Sequence, residues 1–418
     1  MTKNFIAAFL EDGSLDTTFN QNGFLLLDML NNEAFQDVEV QDDDKILVGS
    51  NTGSDYKISR FLEDGTPVVN FATNGVLSPF VSGETGHDFY LGPNGDILVS
   101  GRSGSFSIVL KKFLSNGALD PSFGSNGITT YALAGASSLN VRTLKLQENG
   151  GIIISCSFTE NGSSSNNVVR FLSNGVIDTL YGINGIAFVP VDEAFSCSSL
   201  PFQDGSVLVS CSYYDFLSET LVRRTTKLNP NGSLDTSFGA GGQVTGYYGS
   251  IIQPNQRIIT DQSVSDFEGG SVLDYRRLYS NGSLDASFQF SSNYFESLGN
   301  TSPILLNSGK MLVASSDIWY NGPDINIILQ RFNNNPLGVE EYSLHGSIVF
   351  PNPSNGLFTL EHSDSFSSEI AYQISDITGK IIQTGNLNEN QTVIDISEAK
   401  SGMYFLILGD STLRLIKN

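Results

Sequence analysis

Histidine, the side chain best suited to moving protons near neutral pH, occurs only at His87, His345 and His362. A Ser-His-Asp site within the first 336 residues would have to use His87, and a lone His there reads more simply as a hydrated side chain. Carboxylates are the richer resource. Asp37, Glu39 and Asp88 fall on what read as innermost strands, and gathered round one axis they suit the acid pairs of glycosidases or an oxygen-rich metal site. No cofactor is expected, calcium being the one ion that such oxygens would hold. The three cysteines lack the spacing of a structural zinc site. Cys197 and Cys211 stand equidistant from the turn Gln203-Asp204-Gly205, so a hairpin can set them face to face and leave Cys156 over; spacing alone leaves the bridge open. Tyr213, Tyr214 and Asp215, Asp266 and Glu268, and Trp319 and Tyr320 lie in segments that vary between copies of a repeat. Their aromatic faces and acids suit sugar rings, and they are the candidate ligand-binding residues.

The elements that must position these groups follow from composition and period. Over 418 residues, 44 acids against 22 bases leave a net charge of -22, which argues against nucleic acid or an anionic membrane and for cations or neutral polymers as partners. No apolar run approaches the length of a transmembrane segment. With 42 Gly, 28 Phe and 15 Tyr the chain reads as turn-rich β structure.

The segment Phe9 to Phe19 recurs with turn glycines at Gly13, Gly65, Gly117, Gly175, Gly232 and Gly282, in steps of 52, 52, 58, 57 and 50 residues. The apolar runs at Ile46, Ile97, Ile152, Val207, Ile258 and Met311 keep the same period. Each unit has room for four short strands: Phe35 to Gln41, a run from Lys45, a third strand ending at Phe61-Leu62 and a fourth after Gly75. Such a unit cannot bury both faces alone, so the units must stack, and radial stacking of four-stranded sheets is a β-propeller. A β-helix is disfavoured because its rungs are far shorter. Six blades are expected, with Gly23 to Met29 filling the outer strand of the sixth, or seven with one half-built. Met1 to Leu10 belongs to this repeat and is not a secretory leader as it stands; a leader is expected upstream.

The recurring residues have mechanical readings. Phe19, Phe71, Phe123, Tyr181, Phe238 and Phe288 are expected to wedge between sheets. Asp16, Asp120, Asp178, Asp235 and Asp285 sit where an Asx turn or cap needs an acceptor, with Val68 standing in that place in one unit. The bases Arg60, Lys112, Arg170, Lys227, Arg277 and Arg331 are expected to pair with carboxylates of the neighbouring blade. Phe113 to Gly127 and Leu228 to Gly242 closely resemble the delta-60 repeat signature. That resemblance covers about 330 residues and implies a propeller-like domain of secreted or surface proteins, with no catalytic residues to carry over.

The period is lost after Pro336. Residues 337–346 read as a linker and 347–418 as a small Ig-like β-sandwich of short strands. Pro351, Asn352, Pro353 and Gly356, then Asp376, Gly379 and Lys380, then Gly402 and Tyr404, and finally Lys417 stand in blocks that resemble the type A sorting domain of the type IX secretion system. The resemblance implies a Gram-negative Bacteroidota protein whose tail engages that machinery and which is released or held at the cell surface. The fold expected is therefore all-β, a propeller followed by a sandwich. The function expected is a secreted or cell-surface, non-catalytic binding or scaffold propeller for a glycan or surface polymer. The alternatives are a polysaccharide-acting enzyme with carboxylates round the channel, or a structural surface protein with no ligand.

Overall fold

Each copy of the repeat forms one antiparallel sheet whose strands lie side by side in chain order. The computed structural model describes residues 4–418 except 11, 28–33, 52–54, 192–193, 195, 216–219, 266–270, 292–302, 307–309, 319–324, 333–346, 353, 363–369, 377–379, 388–390 and 409–410. Among the described residues strands β1 (Asn4–Ala7) and β2 (Phe24–Leu27) pair only with each other. The first four-stranded sheet is β3 (Ala34–Val40), β4 (Ile46–Asn51), β5 (Tyr56–Phe61) and β6 (Val76–Leu77). The second is β7 (Glu84–Leu91), β8 (Ile97–Ser103), β9 (Ser107–Phe113) and β10 (Ile128–Ala132). The third is β11 (Ala136–Leu146), β12 (Ile152–Glu160), β13 (Ser163–Phe171) and β14 (Ile186–Val189). The fourth is β15 (Ser196–Pro201), β16 (Val207–Asp215), β17 (Thr220–Leu228) and β18 (Gln243–Thr245). The fifth is β19 (Tyr248–Ile252), β20 (Ile258–Ser265), β21 (Ser271–Leu278) and β22 (Leu284–Ser291). The sixth holds β23 (Ile304–Leu305), β24 (Met311–Ile318) and β25 (Ile325–Phe332). Phe24–Leu27 thus pairs with β1 and does not complete the sixth sheet as the six-blade reading required.

Strand two of each unit shows why the sheets stack. Its apolar run exposes alternate residues to opposite faces, and both faces are dry. Leu47 joins Ile97 and Val99 of the next unit in one cluster, and Leu98 joins Ile152 and Ile154. Ile153 with Val207 and Val209, Leu208 with Ile258, and Ile259 with Met311 and Val313 continue the series. The core is therefore a chain of interfaces between consecutive sheets, with no central mass of its own.

The wedge aromatics behave as expected: Phe19, Phe71, Phe123, Tyr181 and Phe238 are at most 2% exposed, and Phe288 is half-buried. Phe19, Phe123 and Phe238 lie against the turn glycines Gly65, Gly175 and Gly282 of the following units. Gly175 has φ +85°, and a Cβ built there would stand 2.7 Å from Phe123 Cζ, so that turn needs glycine for both conformation and space. The aspartates accept as Asx turns, Asp120 from Ser122 N and Asp178 from Leu180 N. The basic residues depart from expectation. Arg170, Lys112, Lys227 and Arg277 pair with the aspartate eight residues on in their own unit, as Arg170 Nη2 does with Asp178 Oδ2 at 2.7 Å. Arg170 and Lys227 also reach turn carbonyls of the next unit, Arg170 Nη1 to Pro230 O at 2.6 Å and Lys227 Nζ to Ser280 O at 3.4 Å. The reason is local: the N–H of Asp120, Asp178 and Asp235 bonds back to the carbonyl of the same base, for instance Asp178 N to Arg170 O at 2.9 Å, which sets the two side chains together.

Three innermost strands carry a β-bulge at one equivalent place, with Gln36, His87 and Arg142 as the extra residues. In the fourth unit the register runs straight through that place, and there Cys197 and Cys211 are cross-strand partners joined by a disulfide. Cys156 is a buried free thiol whose pKa burial pushes up to about 12.

The chain divides into two compact units, Met1–Leu306 with Met311–Phe332, and Asn307–Lys310 with Asn333–Asn418. In the second, β26 (Ser347–Phe350), β27 (Leu357–His362) and β30 (Gln391–Asp395) form one sheet. The strands β28 (Ile370–Asp376), β29 (Ile381–Leu387), β31 (Gly402–Leu408) and β32 (Ser411–Lys417) form the other. Phe358, Leu360 and Ile394 of the first sheet share a core with Ile374, Leu406 and Leu415 of the second. Among the described residues no helix is long and apolar enough to cross a membrane.

Candidate functional site

The bulged inner strands bring the expected carboxylates together. Asp37 and Glu39 on β3, Asp88 on β7 and Lys145 on β11 lie close enough to act on one another's charge. Asp88 Oδ2 accepts from Leu144 N of β11 at 2.8 Å, and its Oδ1 accepts from Phe89 N at 2.9 Å. Burial raises the Asp88 pKa to about 6; the charge of Lys145 and the Leu144 hydrogen bond oppose the shift. Burial also raises Asp37 and Glu39, and the Asp37 charge raises Glu39 further. His87, on the same bulge as Asp88, is held below its ordinary pKa by burial and by Arg102, so it is neutral at pH 7. Among the described residues no group of acids, cysteines and histidines is placed to hold a metal ion.

Round the same series of inner strands the chemistry changes. On β11 Arg142 Nη2 donates to Ser157 Oγ at 3.3 Å, and Thr143 Oγ1 lies 3.3 Å from Ser199 Oγ of β15. On β19 Tyr248 donates to Ser198 Oγ at 2.9 Å. Ser250 donates to Asp261 Oδ1, whose other oxygen accepts from Arg223. The inner strands thus run from acids in the first two units, through cations in the third, to hydroxyls in the fourth and fifth.

Glu39 also lines a cleft of about 510 Å³ formed by the strand one to strand two turns of the first two units, with Asp42, Asp43, Lys45 and Arg60 among its walls. Lys45 and Asp43 form an ion pair there. Arg60 is 6% exposed, lies over the Phe71 ring and donates through Nη1 to Ser115 O, yet among the described residues its Nε and Nη2 have no hydrogen-bond partner. The cause lies eight residues on, where Val68 replaces the aspartate that serves Lys112, Arg170, Lys227 and Arg277. Val68 N still bonds to Arg60 O at 2.9 Å, so the backbone is ready for the missing side chain. Val68→Asp is expected to stabilise the protein by about 1–2 kcal/mol by giving a buried guanidinium its acceptor. A lower melting temperature for that variant would show that Arg60 is satisfied some other way.

The Asp88 environment makes a second prediction. A carboxyl whose folded pKa is raised binds its proton more tightly folded than unfolded, so stability is fullest below the unfolded value near 4 and falls as pH rises through about 6. Asp88→Asn should remove that slope and gain about 2–3 kcal/mol at pH 7.5 relative to pH 4. Thermal melts at the two pH values decide it, and an unchanged slope would place the titration elsewhere.

Tyr213 and Tyr214 lie at the other end of the sheets. Tyr213, Tyr214 and Asp215 are not in a loop; they are the last three residues of β16 and pair with Val222, Leu221 and Thr220. Arg224 stacks 5.2 Å from the Tyr213 ring, and Tyr214 is 41% exposed. Asp266, Glu268, Trp319 and Tyr320 lie outside the described residues.

In the C-terminal unit the motif residues act as fasteners. Asn352 Oδ1 accepts from Ile416 N at 2.9 Å, and Lys417 Nζ donates to Ser397 O at 2.8 Å. Tyr404 donates to Lys400 O at 2.6 Å, and Asp376 N bonds to Lys380 O at 2.9 Å. Gly356 has φ +113°, with the Ser397 backbone 2.6 Å from where a Cβ would stand. Pro351 and Gly402 are exposed, and Pro353 and Gly379 lie outside the described residues.

Residues 348–418 match the family described as secretion system C-terminal sorting domain. Residues 92–123, 147–181 and 203–238 match the family described as a domain of unknown function (DUF5122) β-propeller. No curated protein matches the chain. Among solved structures, the β-propeller domain of the Trilobed protease from Pyrococcus furiosus is similar, at 8% identity and TM-score 0.42, over 93% of this chain and 97% of that one. The polysaccharide lyase Uly1 is similar at 11% identity and TM-score 0.44, over 73% and 78%. Virginiamycin B lyase from Staphylococcus aureus is similar at 10% identity and TM-score 0.37, over 86% and 96%. Likenesses this distant carry nothing about activity.

Proposed function

We propose that this chain, a repeat β-propeller with a secretion-system sorting tail, works at the cell surface or in the medium as a non-catalytic binder of a neutral glycan. The sorting tail implies engagement of the type IX secretion machinery and export. The observation that carries the ligand class is the cleft. Its walls offer carboxylate acceptors at Glu39, Asp42 and Asp43 beside cationic donors at Lys45 and Arg60. A polyol, whose hydroxyls both donate and accept, can satisfy such a mixed lining, and a volume of about 510 Å³ suits a few sugar rings. The net charge of -22 favours a neutral polymer over an anionic one.

A polysaccharide-acting enzyme is the second reading, and the Asp88 carboxyl with its pKa of about 6 beside Glu39 and Asp37 is what favours it. A panel of oligosaccharides, offered with and without calcium and assayed for both retention and new reducing ends, separates the readings. Retention without new reducing ends supports the binder, new reducing ends support the enzyme, and a blank panel leaves a structural surface protein.

A further inference from the structure

Four positions of the third unit depart from the units on either side. One, five, eight and thirteen places after the turn glycine, the second unit carries Ala118, Ser122, Ser125 and Thr130, and the fourth Ser233, Ser237, Ala240 and Thr245. The third carries Val176, Leu180, Ile183 and Phe188. These four are 52%, 86%, 79% and 56% exposed, and Leu172 close by is 45% exposed. The fold does not demand them, since small and hydroxyl side chains serve at the same places next door. Hydrogen bonds from Leu172 N to Val176 O at 2.7 Å and from Ile183 N to Ile186 O at 2.8 Å fold the stretch onto itself, just ahead of the outer strand β14 that carries Phe188. An apolar patch thus sits on one short part of the rim, and a patch of this kind marks a contact surface.

Its surroundings are polar but uncharged. Asp178 is the one charged residue between Phe171 and Val191, Asp120 the one between Phe113 and Val141, and Asp235 the one between Leu228 and Gln256. Each is ion-paired within its own unit, to Arg170, Lys112 and Lys227. An apolar centre without charge, bordered by hydroxyl and amide groups, is the anatomy of a protein interface.

We propose that this patch joins two copies of the chain about a two-fold axis, with Leu180, Ile183 and Phe188 of each copy covering those of the other. Charge selects the occupant. Two copies that each carry -22 repel one another over most of their surfaces, so they meet at least cost where neither bears an unpaired charge. A two-fold contact is also self-complementary, so the apolar face that this patch requires is supplied by the same patch on the partner. The area agrees: five side chains exposed to this degree present on the order of 500 Å² per copy, and two copies together bury roughly 1,000 Å², where specific interfaces begin. The expected dimer is therefore weak and reversible.

Sedimentation velocity of the whole protein over a concentration series tests this, with Leu180→Asp as the variant and Val69→Asp, at a position 71% exposed in the first unit, as the control. A monomer–dimer equilibrium is expected for wild type and for Val69→Asp, and Leu180→Asp should weaken it by about 10-fold or more. Because Leu180 is 86% exposed, Leu180→Asp should leave the melting temperature of the monomer unchanged, so lost association is not lost fold. Added salt should strengthen the dimer by screening the repulsion between acidic copies, whereas a contact made of ion pairs would weaken. The proposal is overturned if wild type is monomeric from about 1 μM to about 1 mM, the span from tight to marginal association. It is overturned equally if Leu180→Asp dimerises like wild type. Flotation of monomeric wild type with phosphatidylcholine vesicles, lost in Leu180→Asp, would also overturn it, because a lipid surface is then the occupant.

Discussion

Replacing Phe123 by Ala should cost about 3–5 kcal/mol, among the largest single effects available in the propeller. The ring is 1% exposed and belongs to a cluster that includes Leu98 and Leu110 of its own unit and Ile152, Val169 and Phe171 of the next. It also packs beneath Gly175, beside Thr129 Oγ1. Truncation therefore opens a cavity at an interface, and neighbouring sheets are coupled only through such interfaces. Urea denaturation should show the midpoint falling sharply for Phe123→Ala. Leu180→Ala, at a position 86% exposed, should change stability by less than about 0.5 kcal/mol. A cost under about 1 kcal/mol for Phe123→Ala would mean that the aromatic decorates the interface and does not hold it.

Asp285→Ala should be as damaging, at about 3–5 kcal/mol, for an electrostatic reason. Asp285 is 1% exposed and its Oδ2 takes hydrogen bonds from Arg277 Nε at 2.6 Å and Arg257 Nη1 at 3.1 Å. Its Oδ1 accepts from the Ser287 backbone and hydroxyl. Removing the carboxylate leaves two largely buried guanidinium groups without their acceptor. Burial alone would raise the Asp285 pKa, but the hydrogen bonds from Ser287 and Arg277 prevail and hold it below the usual carboxylate range. For a lowered carboxyl the stabilisation is present above the unfolded pKa and is lost as pH falls through the folded one. The gap between wild type and Asp285→Ala should accordingly be widest near neutral pH and narrow in acid. A gap that stays constant down to pH 3 would assign the loss to packing and not to charge.

Much of this architecture was legible in the chain because it rests on period and on turn chemistry. Gly65, Gly117, Gly175, Gly232 and Gly282 mark turns whose positive φ only glycine adopts without strain, and the apolar runs from Ile46 onward mark strands dry on both faces. The pairing of each base with an aspartate eight residues ahead was not legible. Spacing shows only that both recur, while the bond from Asp178 N to Arg170 O that folds them together is a property of the turn. The bulges at Gln36, His87 and Arg142 were equally hidden, since one extra residue in a strand leaves no mark on composition. Cys197 and Cys211 could be set opposite by counting from their turn, but only a register without that bulge makes them partners. The aromatics at Tyr213 and Tyr214 drew attention as surface groups. The cleft at the other end of the sheets is built from Glu39, Asp42, Asp43 and Lys45, which in sequence look like an ordinary polar turn.

Calorimetric titration of the best-retained neutral oligosaccharide against wild type, Glu39→Gln and Tyr214→Ala tests the central claim most directly. Glu39→Gln is expected to weaken binding by about 10-fold or more while Tyr214→Ala leaves it unchanged, because Glu39 lines the cleft and Tyr214 stands at the opposite ends of the strands. The reverse pattern, with affinity lost at Tyr214 and kept at Glu39, would contradict a ligand seated in the cleft.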